Sequence, residues 1–199
     1  MSFRIEEKIP LSFSEGTQLL RMLKKSGLKS LYPPREIASV YFDNNRYDLF
    51  RDSEEGLLPR KKIRVRNYPK TDIDSFLLET KISSIEGRFK SSQQIDQNIK
   101  NFLYSMGKFD SLYGVLHPVV KITYTREYYS FKGFRVTMDN NIKYQDINYP
   151  SNLIFDDRSV IEIKASKGTS LDFIISLIHE QRRRFSKYCN SIRFLNLSN

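Results

Sequence analysis

The sequence contains one cysteine, Cys189, two histidines and no tryptophan in its 199 residues. A single cysteine cannot form an intramolecular disulfide, and we expect a reducing, cytoplasmic environment. His117 and His179 lie far apart in the sequence, which disfavours a zinc site of the histidine and cysteine type. A bound metal would therefore depend mainly on carboxylates.

Long hydrophobic runs are missing as well. No apolar stretch approaches the roughly 18–20 residues needed to cross a bilayer, and the N-terminal residues contain no apolar signal core. We therefore expect no transmembrane segment in this chain. The length fits a single domain spanning residues 1–199, and 39% hydrophobic residues are enough for a folded core.

What the chain has in excess is positive charge. Lys and Arg number 33 against 23 Asp and Glu, which gives a formal net charge of +10. An excess of this size favours an anionic partner, such as nucleic acid, a phosphate-rich small molecule or an acidic membrane surface. A basic surface that is simply solvated is the alternative at this point.

Three segments have the apolar spacing of helices. The first runs from Ser14 as N-cap to Lys25 and is ended by Gly27, the second covers 96–106, and the third starts near Ser170 and ends near 182–184. Loops are predicted at 32–35, 54–59 and 148–152, where proline, glycine and polar residues gather.

Eight segments alternate between apolar and polar residues, as strands do. They are 3–9, 39–43, 61–68, 75–82, 88–95, 119–129, 134–139 and 160–165. Strictly alternating strand and helix units are absent, so the pattern predicts an α+β fold, with an antiparallel sheet or barrel and helices packed around it.

The polar faces of these strands are charged. Side chains two residues apart point to the same face of a strand. The sets that share a face are Arg4, Glu6 and Lys8; Lys62, Arg64 and Arg66; Leu77, Glu79 and Lys81; Tyr124 and Arg126; Arg135, Thr137 and Asp139; Val160, Glu162 and Lys164. One such strand is ordinary for a sheet with one solvated face, but the repetition in at least five strands favours a common purpose.

If these faces converge, they form a cationic pocket with embedded carboxylates. Such a pocket is unfavourable when empty, because like charges repel and buried charges need partners. A polyanion with a divalent cation satisfies both sets, since Arg and Lys bind phosphate oxygens and carboxylates bind Mg²⁺ or Mn²⁺. Nucleic acid on an open basic sheet is the rival, but carboxylates on the same faces would repel its backbone, which makes it an unlikely partner.

The motifs together resemble those of the VTC domain, the polyphosphate-polymerase branch of the triphosphate tunnel metalloenzymes. The similar segments, in chain order, are Arg4-Ile5-Glu6-Glu7-Lys8, Val40-Tyr41-Phe42-Asp43, Arg64-Val65-Arg66-Asn67-Tyr68, Glu79-Thr80-Lys81, Tyr124-Thr125-Arg126, Arg135-Val136-Thr137-Met138-Asp139, Glu162-Ile163-Lys164 and Phe185-Ser186-Lys187-Tyr188. The wider superfamily often opens with E-x-E-x-K, and here Arg4 replaces the first acidic residue, which weighs against its triphosphatase and cyclase branches.

The resemblance implies an antiparallel eight-stranded β-barrel tunnel with flanking helices. It implies that phosphates are bound by Arg64, Arg66, Lys81, Arg126 and Lys187, supported by Lys8, Arg135 and Lys164. It also implies that Glu162 binds the metal, Mn²⁺ or Mg²⁺, with Glu6 assisting. Glu79 is the next candidate after these two carboxylates.

The expected reaction is phosphoryl transfer from ATP to a growing polyphosphate chain. The residues assigned to catalysis are Arg64, Arg126, Glu162 and Lys187. The nucleophile is a terminal phosphate that is already ionised, which agrees with the lack of a Ser/His/Asp or Cys/His arrangement in the sequence. A triphosphatase or polyphosphatase with water as the nucleophile, and a non-catalytic domain that binds polyphosphate or nucleic acid, are the alternatives.

Overall fold

Ten strands and four helices occupy most of the residues described by the computed structural model, which are 4–70, 72–166 and 185–198. The strands are β1 (Arg4–Ser12), β2 (Lys29–Asp43), β3 (Arg60–Tyr68), β4 (Asp72–Ser84), β5 (Gly87–Ile95), β6 (Lys108–Asp110), β7 (Gly114–Phe131), β8 (Phe134–Asp146), β9 (Leu153–Asp156) and β10 (Arg158–Ser166). The helices are α1 (Phe13–Lys25), α2 (Asp48–Glu55), α3 (Gln97–Met106) and α4 (Lys187–Phe194). None of these four helices is long and apolar enough to cross a membrane. The helix predicted to start near Ser170 falls outside the described residues.

The chain forms two compact units. Unit 1 contains Met1–Arg35, Tyr124–Ile142 and Asp156–Phe185. Its strands follow the hydrogen-bonded order β1-β10-β8-β7-β2, and β10 is antiparallel to both β1 and β8. Helix α1 covers the apolar face of these strands with Leu19 and Leu23. Gly16 allows the close approach, because a Cβ atom at this position would lie 2.8 Å from Cβ of Ser159.

Unit 2 contains Glu36–Thr123, Lys143–Phe155 and Ser186–Asn199. Its strands follow the order β7-β2-β3-β4-β5, and the two short strands β6 and β9 are attached to β7 and β8. The core contains Phe42, Ile63 and Val65 from the strands and Leu49 and Leu103 from α2 and α3. Strands β2 and β7 are long enough to contribute residues to both units.

The eight predicted strands correspond to the eight strands of the hydrogen-bonded order, and the α+β class is confirmed. Strands β6 and β9 were not predicted, since three and four residues are too few for a visible alternation. The second predicted helix agrees with α3, whose N-cap is Asp96.

Three local predictions were wrong. Helix α1 is capped by Ser12 rather than Ser14, because Ser12 and Glu15 form a capping box with bonds of 3.2 and 2.8 Å. The predicted loop at 32–35 lies within β2. The φ angle of proline suits extended backbone, and its missing N–H is tolerated where the neighbouring strand needs no hydrogen-bond donor. The predicted loop at 54–59 begins later, because α2 extends to Glu55 and ends at Gly56, whose φ of 79° suits a residue without a side chain.

Candidate functional site

A balanced set of charges lies on one face of the sheet in unit 1. In the register of β1 and β10, Glu6 is opposite Lys164 and Lys8 is opposite Glu162. This group, the carboxylate cluster, consists of Glu6, Lys8, Arg126, Asp139, Glu162 and Lys164. Strand alternation puts each E-x-K pair on one face, as the sequence predicts, and the register of β1 and β10 brings these two pairs side by side.

Glu162 is at the centre of the carboxylate cluster. Its Oε1 lies 2.8 Å from Nζ of Lys164, and its Oε2 lies 3.9 Å from Nη2 of Arg126 and 4.0 Å from Nζ of Lys8. Glu6 accepts a closer contact from Lys8, at 2.7 Å. Burial alone raises the pKa of Glu162, but the charges of Lys8, Arg126 and Lys164 outweigh it and hold the pKa well below its usual range. Glu162 is therefore ionised at any physiological pH.

Arg126 is fixed by a carboxylate that the sequence assigned to no role. Its Nε and Nη2 donate to the two oxygens of Asp139 at 2.6 and 2.7 Å. A bidentate pair of this kind orients the guanidinium plane. Asp139 is fully buried, so it positions Arg126 rather than meeting a ligand. The R-h-T-h-D pattern could have suggested this pair, since its Asp follows the turn from β7 to β8.

The oxygen atoms around Glu162 suit a divalent cation. Among the described residues, Oε2 of Glu162 has only the two long ion pairs. The hydroxyl of Thr137, opposite Glu162 in the register of β8 and β10, is buried and has no hydrogen-bond partner in the same part of the chain. Mg²⁺ and Mn²⁺ prefer oxygen ligands of these types. The described residues contain no group of three or more His, Cys, Asp or Glu that could bind a metal by itself.

One charged face in unit 2 is mostly positive. We name as the arginine cluster a set on one face of β2, β3, β4 and β5: Tyr41, Lys62, Arg64, Arg66, Glu79, Lys81 and Lys90. Tyr41, Arg64 and Glu79 lie directly opposite one another on three neighbouring strands. The predicted phosphate ligands Arg64, Arg66 and Lys81 thus lie on one surface.

Glu79 is the centre of this cluster and is only 2% exposed. Nη2 and Nε of Arg64 lie 2.6 and 2.7 Å from its Oε2, Nε of Arg66 lies at 3.6 Å, and Lys90 contacts the other oxygen. Burial raises the pKa of Glu79, but Arg64, Arg66 and Lys90 outweigh it and lower the pKa to about 2. Glu79 therefore stays ionised and aligns both arginines.

Three lysines continue the same face. Lys62 is opposite Lys81 on β4, and Lys81 is opposite Lys90 on β5. Like charges directly opposite in a sheet are destabilising, so this lysine row favours an anion. The sequence places Lys62 beside Arg64 and Arg66, but it gives Lys90 no role. The short connection between β4 and β5 could have revealed that Lys90 lies opposite Lys81, because a tight hairpin sets the register of its two strands.

An aromatic pair connects the arginine cluster to helix α4. The hydroxyl of Tyr41 accepts from Nη1 of Arg64 at 2.7 Å, and the ring of Tyr41 stacks on Tyr188 at 5.0 Å. Burial raises the pKa of Tyr41, but Arg64, Arg66 and Lys81 lower it to about 8. The arginine cluster thus creates a potential strong enough to favour an ionised phenol.

Asp43 connects α2 to α4. Its carboxylate accepts backbone N–H bonds of 3.0 Å from Leu49 and Phe50, in the first turn of α2, and it also accepts the hydroxyl of Tyr188. Burial raises the pKa of Asp43 to about 6, although these hydrogen bonds oppose the shift. The V-Y-F-D motif therefore ends in a helix cap rather than in a ligand for phosphate or metal.

Lys187 and Arg135 occupy the margins of the two clusters. Lys187 is the first residue of α4 and lies between Ser186, whose hydroxyl accepts from Nζ of Lys62 at 2.7 Å, and Tyr188. Arg135 is exposed and lies opposite Lys164. Of the residues assigned to catalysis, Arg126 and Glu162 belong to unit 1, whereas Arg64 and Lys187 belong to unit 2. The convergence of all these charges in one tunnel stays a prediction.

Solved structures with the same fold include a candidate adenylate cyclase from Bacillus halodurans, with a TM-score of 0.57 and 13% identity over 99% of this chain and 91% of that chain. A second candidate adenylate cyclase, from Vibrio parahaemolyticus, has a TM-score of 0.54 and 12% identity over 96% and 98% of the two chains. A conserved hypothetical protein from Pyrococcus furiosus has a TM-score of 0.50 and 12% identity over 98% and 91%. At these identities the similarity shows the fold alone, which is that of the tunnel-fold proteins.

The family follows from the sequence. The family model described as the VTC domain matches residues 3–196, nearly the whole chain. This chain therefore belongs to the VTC domain family, and the resemblance indicated by its motifs is confirmed. No curated protein sequence matches the chain closely enough to be reported as a relative.

Proposed function

We propose that this protein binds triphosphate and polyphosphate and transfers the terminal phosphoryl group of ATP to a polyphosphate chain with the help of Mn²⁺ or Mg²⁺. The observation that carries the proposal is the composition of the arginine cluster, which has five cations and one carboxylate on a single face. Membership of the VTC domain family supports the same class of substrate.

In this proposal the arginine cluster binds phosphate oxygens. Arg64 and Arg66 are already aligned by Glu79, so little side-chain freedom is lost when an anion binds. Lys62, Lys81 and Lys90 extend the positive surface along β3, β4 and β5, and Lys187 adds a charge at the start of α4. A linear chain of phosphates suits such an extended surface better than a single phosphate does.

The carboxylate cluster supplies the metal ligands and a further cation. Glu162, with Glu6 assisting and the hydroxyl of Thr137 nearby, would hold Mn²⁺ or Mg²⁺, which neutralises charge on the transferred phosphoryl group. Arg126, oriented by Asp139, contributes positive charge to the same phosphates. Lys8, Lys164 and Arg135 add weaker support at the margin of this cluster.

The chemistry requires no general base. An ionised oxygen of the terminal phosphate attacks the γ-phosphorus of ATP, the bond from the γ-phosphorus to the β-bridging oxygen breaks, and ADP leaves with the electron pair. Cations that contact these phosphates stabilise the negative charge that moves to the leaving oxygen. No proton has to be transferred in this step.

Incubation of the pure protein with ATP and Mn²⁺ or Mg²⁺ tests the proposal. We expect ADP and polyphosphate, detected by gel electrophoresis and by phosphorus NMR. ADP and inorganic phosphate without polyphosphate would identify a triphosphatase, with water as the nucleophile. Binding of polyphosphate without any product would identify a non-catalytic binding domain, and tighter binding to duplex DNA than to polyphosphate at equal salt would favour the nucleic-acid alternative.

A further inference from the structure

Two tyrosines and an arginine pack together at the surface of unit 1, where Tyr32 and Arg35 are exposed and Tyr128 is half-buried. The rings of Tyr32 and Tyr128 meet edge to face, with centroids 5.8 Å apart and planes at 80°. The guanidinium carbon of Arg35 lies 5.7 Å from the centroid of Tyr32 and 5.9 Å from that of Tyr128. We name these three residues the aromatic platform.

The platform is accessible and held by rigid backbone. Tyr32 is 53% exposed, although edge-to-face packing covers part of its ring, and Arg35 is exposed as well. The two residues between them, Pro33 and Pro34, have fixed φ angles, which limits the backbone freedom of the segment. An exposed aromatic ring that is already oriented can stack on a ligand at a small cost in entropy.

The platform and the carboxylate cluster share strand β7, which carries both Tyr128 and Arg126. Tyr128 follows Arg126 by two residues on β7, so the two side chains leave the strand on the same face, about 7 Å apart along it. Arg126 is the residue of this strand that pairs with Asp139 and lies near Glu162. The platform therefore borders the residues proposed to bind the metal and the phosphates.

The chemistry of the platform matches a nucleobase. Every base has a flat π-face that stacks on tyrosine, and stacking on aromatic side chains occurs without strong sequence preference. The guanidinium group of Arg35 offers several N–H donors, which suit the ring nitrogen and carbonyl acceptors of a base. Inorganic polyphosphate has no ring that can stack on Tyr32 or Tyr128, so the two tyrosines distinguish a nucleotide from it.

We infer that Tyr32, Arg35 and Tyr128 bind the base of the nucleoside triphosphate that donates the phosphoryl group. This inference rests on the proposed function, because it assigns the non-phosphate part of that substrate. A purine, with its larger ring system, gains more stacking area than a pyrimidine, so the platform favours ATP over CTP. It also separates the donor, which has a base, from the polyphosphate acceptor, which has none.

Titration calorimetry without a divalent cation tests the inference, since no turnover then occurs. The ligands are ATP, CTP and tripolyphosphate at one fixed salt concentration. We expect Tyr32→Leu to weaken ATP binding roughly five- to 150-fold, in line with the usual effect of losing one stacking ring, and to leave tripolyphosphate binding unchanged. Tyr32→Phe, which keeps the ring, should retain ATP affinity within about twofold.

Tyr149→Leu is the matched control, because Tyr149 is 70% exposed and lies in a loop of unit 2. The inference is overturned if Tyr32→Leu leaves ATP affinity unchanged, if it weakens ATP and tripolyphosphate equally, or if Tyr149→Leu has the same effect. If the wild-type protein binds tripolyphosphate but the affinity for ATP does not depend on Tyr32, the inference about the platform is wrong and the proposed function is unaffected. A wild-type protein that binds neither ligand refutes the proposed function as well.

Discussion

The arginine cluster and the carboxylate cluster contain similar residue types in different proportions. The arginine cluster sets five cations against the single carboxylate of Glu79. The carboxylate cluster sets Lys8, Arg126 and Lys164 against Glu6, Asp139 and Glu162, so its formal charges cancel. Both are built on the polar faces of antiparallel strands, so the difference comes from the residues rather than from the fold.

The difference in charge indicates different tasks. A balanced cluster has no net charge, so an anion alone gains little from it, whereas its carboxylates can still attract a divalent cation. A cluster with excess positive charge is stabilised when an anion arrives, because the anion reduces the repulsion among its members. We therefore expect the arginine cluster to determine affinity for phosphates and the carboxylate cluster to determine metal-dependent turnover.

The largest expected effect is on stability and comes from Glu79→Gln. The change leaves two largely buried arginines without their shared carboxylate, and breaking a buried ion pair costs about 3–5 kcal/mol. Urea unfolding measures the loss, with Glu86→Gln, in the exposed turn of the same hairpin, as the control. Saturating tripolyphosphate should restore part of the stability, because it binds only the folded state. A loss below about 1 kcal/mol would show that Glu79 does not hold the cluster together.

Glu162→Gln should act on turnover instead. The side chain is nearly isosteric but lacks the charge that a divalent cation needs, so Mn²⁺- or Mg²⁺-dependent product formation should fall by at least about a hundredfold. Without metal, ATP should bind as tightly as to the wild type or more tightly, because a negative charge is gone. Asn and Gln variants of Glu7, which follows Glu6 but lies opposite Ile163 on the other face, serve as controls. If Glu162→Gln keeps full stimulation by metal, Glu162 is not the metal ligand, and Glu6 or Glu79 becomes the next candidate.

Removal of Arg64 or Arg66 should reduce affinity. Each Arg→Ala change deletes charge-assisted hydrogen bonds to phosphate worth about 1.5–3 kcal/mol, or roughly ten- to 150-fold in the dissociation constant for tripolyphosphate. Lys70→Gln is the control, since this exposed lysine lies in the turn of the same β3–β4 hairpin. Calorimetric affinities that are unchanged in both arginine variants would rule out the arginine cluster as the phosphate site.

The smallest expected effect is spectroscopic. Tyr41 should ionise near pH 8, seen as an increase in absorbance at about 295 nm that Tyr41→Phe removes. Bound tripolyphosphate should raise this pKa toward its ordinary value near 10, because it neutralises Arg64, Arg66 and Lys81. The folded-state pKa lies below the unfolded value, so this group stabilises the fold increasingly as the pH rises from about 8 to 10. If the pKa of Tyr41 is the same with and without tripolyphosphate, the ligand binds elsewhere on the protein.

The sequence predicted much of each cluster, since alternation alone shows which side chains share a face of a strand. Glu6 and Lys8, and likewise Arg64 and Arg66, were assigned to their faces in this way. The contacts between strands were not predictable to the same degree, because they depend on register. The lysine row exists only through the pairing of β3, β4 and β5, and a slip of one residue would turn Lys90 to the opposite face.

Some failures have a different physical origin. The apolar spacing of 96–106 places Ile99, Phe102 and Leu103 on one side of α3, yet only Leu103 of the three is buried. A hydrophobic pattern identifies a face, but it does not reveal how much of that face is covered by other elements. The pairing of Arg126 with Asp139 was missed for a different reason. Alternation gives the face of each side chain, and the pairing also needs the register that the turn between β7 and β8 sets.

The bond between Tyr188 and Asp43 has a consequence for how unit 2 folds. Asp43 caps the start of α2, whereas Tyr188 lies 145 residues later in the sequence. Contacts between residues so far apart are slow to form, because the entropy of closing a long loop is lost before the contact stabilises the chain. Ser186 and Tyr188 meet Lys62, Tyr41 and Asp43 in this way. We therefore expect the face of the arginine cluster to be completed late in folding, when these distant segments come together.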